Sequence, residues 1–253
     1  WSKGIITLTA GMRYEDVEML NRNYTKADPR RTGKIRIEIP NHARALLPGF
    51  GFNVKALPIL SVFGGVHKGF APPSASLYQK AESSVNVEMG MRLTTNKMKL
   101  EAIVFNNNYS NMLGSDLAAQ GGQGTLEQFN VGKAMVNGLE LMFQYLPLPK
   151  HFAFQLPIQL SYTYTNTQMK NDFESSAWGH VHYGDEIPYI YKHAFNAQIS
   201  LEHKRVEANF GARFNGDMRT TPGQGKIAER EKIPAHVILD ASLKVHVNKN
   251  ITI

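Results

Sequence analysis

No cysteine occurs in the 253 residues, which excludes disulfides, zinc–thiolate sites and a cysteine nucleophile. No run approaches the ~18 consecutive apolar residues that a membrane-spanning helix needs. Charge is sparse: 19% of residues are Asp, Glu, Lys or Arg, against about 25% in an average globular chain. A disordered tail would be rich in charge and poor in aromatics, whereas this chain is 42% hydrophobic and 10% aromatic. Lys and Arg outnumber Asp and Glu by 28 to 21, a net charge of +7, but the cations are dispersed. The nearest approach to a basic run, Lys26 to Lys34, is interrupted by Asp28, Pro29 and Gly33. No RNA-recognition motif, zinc finger or basic helix accompanies it, so nucleic acid is not an expected partner. Neither a nucleophile elbow nor a metalloprotease helix is present, so no catalytic residue is expected.

What is present is alternation with period two. From His151 to Thr167 one face carries Phe152, Phe154, Leu156, Ile158, Leu160, Tyr162 and Tyr164, and the other His151, Ala153, Gln155, Gln159, Ser161, Thr163 and Thr165. Globular strands average about 5–6 residues. A strand from Phe152 to Tyr164 rises roughly 40 Å, enough to cross an apolar band of ~25 Å when tilted. Aromatics stand at both ends of its apolar face, as an interfacial girdle requires. Val206 to Asn215, His236 to His246, Thr7 to Glu15, Val85 to Thr94 and Phe195 to Glu202 repeat the pattern. Met98 to Asn108 is apolar on both faces, and Ile59 to Lys68 reads in either phase.

Ten strands are expected, near 4–19, 44–55, 59–68, 84–95, 98–112, 130–146, 151–168, 190–202, 206–219 and 234–247, with an eleventh starting at Ile251. Short connectors alternate with long ones, as in outer-membrane barrels. The long ones span about Leu20–Ala43, Gly69–Ser83, Leu113–Phe129, Gln168–Tyr189 and Thr220–Ile233. The polar faces carry charges of both signs, including Glu88, Arg92, Glu140, Arg213 and Asp240. At roughly 2–4 kcal/mol for each Arg or Lys at the bilayer midplane, such a face must meet water or a polar plug. The expected fold is therefore all-β, an antiparallel up-and-down meander forming part of a transmembrane barrel. A soluble sandwich would also alternate, but it accounts poorly for the strand length and the girdles. Trp1 follows neither an initiator Met nor a signal pattern, and Ile251-Thr252-Ile253 reads as a strand just beginning, so residues 1–253 are expected to be a partial barrel domain.

Short motifs run in order along the chain. Gly65-Val66-His67-Lys68-Gly69-Phe70-Ala71-Pro72-Pro73 is followed by Glu82-Ser83-Ser84-Val85-Asn86-Val87-Glu88-Met89-Gly90. Phe105 to Asn111, Gly138 to Leu141, Leu156-Pro157, Ser161 to Thr165, Gly184-Asp185-Glu186-Ile187-Pro188-Tyr189, Met218-Arg219 and Val237 to Asp240 follow. Each piece is weak alone; together they resemble TonB-dependent outer-membrane receptors, and most closely the ferric citrate receptor branch. That resemblance implies a 22-stranded barrel in the outer membrane of a Gram-negative bacterium. The plug, first half of the barrel and last hairpin would lie outside this chain. It also implies a ferric chelate, most closely ferric citrate, as transported ligand rather than cofactor. The partners implied are TonB, reached through the plug, with outer-membrane lipid and lipopolysaccharide around the wall. Alternatives are TonB-dependent uptake of another metal complex such as nickel or haem, a passive porin, or an outer-membrane enzyme.

Candidate site residues follow from charge and position. Lys192, Arg213 and Arg219 lie on polar faces, where guanidinium or ammonium groups can bind the carboxylates of an anionic chelate. The plain alternative is a lumen salt bridge, for instance of Arg213 or Arg219 with Asp217. His67 and Lys68 stand where a strand leaves the membrane. His180 and His182, at i and i+2, point the same way in an extended segment and are the metal-ligand candidates.

Overall fold

The computed structural model describes residues 1–23, 28, 30–33, 37–74, 79–115, 128–149, 151–175 and 178–247. Its strands are β1 (Ser2–Lys3), β2 (Ile6–Asn23), β3 (Ile37–Leu57), β4 (Leu60–Ala71), β5 (Glu82–Thr94), β6 (Met98–Ser115), β7 (Gln128–Tyr145) and β8 (Phe154–Gln155). They continue as β9 (Ile158–Met169), β10 (Phe173–Ser175), β11 (Gly179–Val181), β12 (His193–His203), β13 (Val206–Asn215), β14 (Met218–Arg219), β15 (Lys232–Ile233) and β16 (His236–Val245). The ten long strands pair antiparallel with their sequence neighbours in one sheet, ordered β1-β2-β3-β4-β5-β6-β7-β9-β12-β13-β16. This is the expected meander. The strand expected at Ile251 lies outside the described residues.

Register decides which side chains share a face. One row of partners crosses the whole wall: Ile6, Val54, Val62, Met91, Ala102, Leu141, Tyr162, Phe195, Phe214 and Val237. Every member is apolar. The row running from Lys55 through Ser61, Arg92, Glu101, Met142, Ser161, Asn196 and Arg213 to Ile238 stands on the opposite face. It is knit by an Arg92–Glu101 ion pair, an Asn196–Ser161 hydrogen bond of 3.2 Å, and Arg213 Nε donating to Asn196 Oδ1 at 3.2 Å. Met12, Leu239 and Leu243 are 72%, 63% and 66% exposed. A continuous apolar face of that kind belongs in hydrocarbon, with the polar face towards the lumen.

The apolar band also drifts. In β2 the shared row begins the apolar stretch Ile6 to Tyr14; in β16 it ends the stretch Val237 to Val245. Relative to the hydrogen-bond rows the band thus falls by about eight residues across nine strand pairs. With ~3.3 Å per residue and ~4.8 Å between strands, keeping the band level requires a strand tilt of about 30°, near the tilts of outer-membrane barrels.

The expected boundaries need several corrections. β2 and β3 run on to Asn23 and back from Ile37, well past the apolar band. There the outward face is held by cross-strand charge: Asp16 with His42 at 2.5 Å and Arg44 at 3.1 Å, and Arg22 with Glu38 at 3.0 Å. Apolar alternation has no reason to continue above the hydrocarbon. The strand expected over 151–168 starts later, because Phe152 N–H closes a turn on Pro149 and Pro157 has no N–H to give a ladder. Phe154–Gln155 and Ile158–Met169 still pair with β12 in a single register, so facing is preserved through the break. The strand expected over 206–219 ends at Asn215, and Met218–Arg219 turns away to pair with Lys232–Ile233. The ambiguous phase of β4 resolves with Val62, Gly64 and Val66 outward, opposite Met91, Met89 and Val87.

Facing makes a direct test. Leu141→Arg, in the middle of the outward stretch of β7, is expected to destabilise the full-length barrel by about 2–4 kcal/mol in urea titrations from lipid vesicles. Gln144→Arg, on the lumen face of the same strand, should change stability by less than about 0.5 kcal/mol.

Candidate functional site

The segment between β9 and β12 folds back over the lumen face. Met169 and Ala134 belong to lumen-facing rows, and with Val131, Val181 and Ile187 they form a buried apolar cluster. Phe129 and Trp178 close it edge to face, with ring centroids 5.7 Å apart. This is where the loop finds the apolar burial that a single-layer wall does not offer it.

The run Gly184 to Tyr189 is the clasp. Gly184 takes a φ of 95°, which suits a residue without Cβ. Gly184 N–H donates to Met169 O at 2.9 Å, and Met169 N–H to Asp185 O at 2.7 Å, so the loop returns on the end of β9. The Asp185 carboxylate accepts the His182 N–H at 2.8 Å and Gln224 Nε2 at 3.1 Å. Ile187 N–H donates to Thr167 Oγ1 at 2.9 Å. Tyr189, at a φ of 61°, is held there by its N–H on Arg219 O at 2.8 Å.

Glu186 sits between two cations. Arg219 Nε lies 3.1 Å from Oε2 and Lys192 Nζ 2.6 Å from Oε1. Arg219 is 4% exposed and also donates from Nη2 to Gly225 O at 3.1 Å. Glu186 N–H bonds Gly223 O at 2.9 Å, and a Cβ at Gly223 would come 2.7 Å from Arg219 Nη1. The loop from 216 to 235 therefore closes on the loop from 170 to 192 through one shared carboxylate. Two cations against one anion leave the node net positive.

The structure brings Lys192 and Arg219 together and leaves the other candidates apart. Arg213 is lower on the lumen face, beside Asn196 and Asp240, in a concavity of about 310 Å³. Neither arginine pairs with Asp217: Glu186 and Asn196 take their guanidinium groups. His67 lies on the lumen face, in a second concavity of about 340 Å³ shared with Asn86, Glu88, Asn107, Tyr109 and Glu140. Lys68 points outward, opposite Val85. Adjacent residues of a strand cannot share a face, so His67 and Lys68 do not act on one ligand from the same side. His180 pairs with Glu174 across the β10–β11 hairpin at 3.5 Å, both well exposed, and His182 follows in the turn. Among the described residues no three His, Asp or Glu side chains gather into a metal-binding group.

One carboxylate of the site has no signal in the local sequence. Glu186 lies inside the Gly184–Tyr189 motif, and its role depends on the second loop. Glu88 and Glu140 face the lumen as their place on the polar faces predicts, and among the described residues no ion pair reaches either of them.

A one-layer antiparallel wall with an apolar outer face, a charged inner face and two described loops closing on each other over one rim is a segment of a transmembrane β-barrel. The family model described as TonB dependent receptor-like, beta-barrel matches residues 1–253, and the chain belongs to that family. Members are transport receptors of the Gram-negative outer membrane, not enzymes. No curated protein matches the chain. Among solved structures it is similar to the siderophore receptor PiuA from Acinetobacter baumannii, at 17% identity and a TM-score of 0.71, covering 98% of this chain and 35% of that one. It is also similar to the ferric-catecholate import receptor Fiu from K12 E. coli, at 17% identity and a TM-score of 0.67, covering 98% and 37%. The ferric citrate transporter FecA compares at 18% identity and a TM-score of 0.66, covering 98% and 36%. The chain spans little more than a third of each.

Removing the shared anion should loosen both loops at once. Glu186→Gln in the full-length receptor is expected to cost about 1–3 kcal/mol of local stability, because Arg219 stays buried without its counter-charge. Hydrogen exchange at Tyr189 and Gly184 should speed by roughly tenfold or more, while ladder amides of β12 and β13 keep their protection.

Proposed function

We propose that the intact protein takes up a ferric chelate, most closely ferric citrate, across the outer membrane, energised through TonB. The observation that carries this reading is the net-positive Glu186–Arg219–Lys192 node at the mouth of the wall. A chelate bearing free carboxylates presents the same oxygen geometry to Arg219 and Lys192 as Glu186 does. It binds by sharing or replacing that carboxylate, and the loop arrangement shifts only as far as its contacts there exceed those of Glu186. Arg213, further down the lumen face, is the next cation on the way inward, and His67 the next polar group beneath the opposite part of the rim. The residues supply binding and orientation, and no covalent step is assigned to them.

The lumen carboxylates Glu88 and Glu140 fit the same reading. Facing inward with no ion pair to a cation among the described residues, they suit a basic surface of a plug held inside the closed 22-stranded barrel. Tight capture of a scarce ligand makes release require work, which the plug would receive from TonB.

His180 and His182 favour a second cargo, a complex whose metal has open coordination positions, such as nickel, since both stand exposed on the rim. Haem would use the same axial chemistry.

Lys192→Ala tests the first reading, since Lys192 is the more exposed of the two cations and its loss leaves the buried Arg219–Glu186 pair intact. Ferric citrate binding to the full-length receptor should weaken by about 5–10-fold at unchanged barrel insertion. Equal binding by Lys192→Ala and by Arg219→Lys would remove the node from the site. Uptake that survives collapse of the proton gradient would defeat energised transport. If His180→Ala with His182→Ala abolishes nickel uptake and spares ferric citrate, the second reading holds.

A further inference from the structure

The rim formed by the short connectors carries charge of mainly one sign. Within four residues of those connectors the described carboxylates are Glu101, Glu202 and Glu207. Arg92 takes Glu101, and Lys244 and His246 take Glu207 at 3.1 and 3.2 Å. Six cations of the same zone are exposed: Lys3, Lys55, Lys97, Lys99, Lys204 and Arg205. Among the described residues none of them forms an ion pair, and Glu202 is the one carboxylate of the zone left without a cation. At the opposite rim the acids are numerous and paired, as with Asp16, Glu38, Glu186, Glu229 and Glu231.

The connectors display these cations on closed turns. Thr95 Oγ1 accepts the N–H of Met98 at 3.0 Å and of Lys97 at 3.3 Å, so the turn before β6 is tied to itself with Lys97 exposed. Arg205 N–H closes the β12–β13 turn on His203 Nδ1 at 3.3 Å, with Lys204 at its tip. Lys55 lies in the row of Arg92, and Lys99 pairs with Gln144, so both stand on the lumen face. Lys3 pairs with the outward Ile6. Successive connectors are two strands apart, about 10 Å, and the arc from the β1–β2 turn to the β12–β13 turn is about 40 Å.

We propose that this rim binds an extended polyanion on the periplasmic side of the outer membrane: the cell-wall glycan, through the free carboxylates of its peptide stems. The inference rests on the outer-membrane placement of the wall, which turns short connectors to the periplasm. Sign selects an anionic partner, since the wall supplies these cations with almost no counter-charge of its own. Spacing selects a polymer. A small anion meets one connector, whereas a chain with repeated carboxylates meets several, and individually weak exposed pairs add along it. Parity separates this partner from membrane lipid. A phospholipid head reaches Lys3, but Lys55 and Lys99 face away from the bilayer. The contact would keep the receptor close to the wall without fixing it in place.

The test mixes the full-length receptor, in neutral detergent, with purified Gram-negative sacculi and measures the fraction that sediments. The sacculi are untreated or have their stem carboxylates converted to amides. Wild type should bind the untreated sacculi, lose binding at high salt, and bind the amidated ones about tenfold more weakly. Lys97→Gln with Lys204→Gln and Arg205→Gln should weaken binding about eightfold, roughly twofold for each cation. Heat-modifiable gel mobility checks that the variant barrel has formed. Arg22→Gln with Glu38→Gln, at the opposite rim, should bind as wild type does. Wild-type binding by the triple variant, or equal binding of amidated sacculi, would overturn the proposal. So would full competition by phosphatidylglycerol vesicles, which would make the rim a lipid site. Failure of wild type to bind at all, the result expected if acids of the plug already cover these cations, would overturn it too. A receptor absent from the outer-membrane fraction would defeat instead the placement on which the inference rests.

Discussion

Inside hydrocarbon every backbone N–H and C=O must find its partner within the protein, and the antiparallel ladder from strand to strand is how this wall meets that demand. Once the ladder is in place the side chains have no freedom of facing. The row from Ile6 to Val237 is apolar at all ten positions, and the row from Lys55 to Ile238 is polar at most of its positions, because a slip of one residue would exchange them. The level of the membrane then follows from the side chains and not from the ladder. The apolar band slides across the rows, and the strands tilt to keep it level.

The same constraint explains where the wall stops being regular. Above the hydrocarbon, water can satisfy the backbone, so the chain is free to turn, bulge and form loops. The clasp from Gly184 to Tyr189 and the turn around Arg219 lie in that region. Here the loops assemble a small core of their own around Met169 and Ile187, and a buried arginine is held by a carboxylate from another loop. The candidate site lies at that boundary, where side chains are no longer committed to meeting lipid.

Much of the wall was legible in the sequence, since alternation is a local signal and the membrane enforces it residue by residue. All ten long strands were anticipated, and the facing of Phe210, Leu239 and Arg213 follows from parity alone. What escaped was governed by something other than hydrocarbon. β3 begins at Ile37 because Arg44, His42 and Glu38 make cross-strand charge pairs, which leave no apolar trace. Pro157 interrupts one ladder without disturbing facing, which alternation cannot reveal. At the candidate site, Lys192 and Arg219 were legible as cations near the rim. Glu186 was not, because its importance comes from a contact 33 residues away in sequence. The separation of His67 from Lys68 was available from parity but is obscured when the two are read as one motif.

Glu186 is also a joint in the kinetic sense. With Arg219 on one loop, Lys192 at the foot of the other, and Glu186 N–H on Gly223 O, neither loop swings away without breaking contacts that hold its neighbour. The rim of this part of the barrel therefore has a single opening event instead of two. Probes placed at Tyr183 and at Gln224 would report one rate constant.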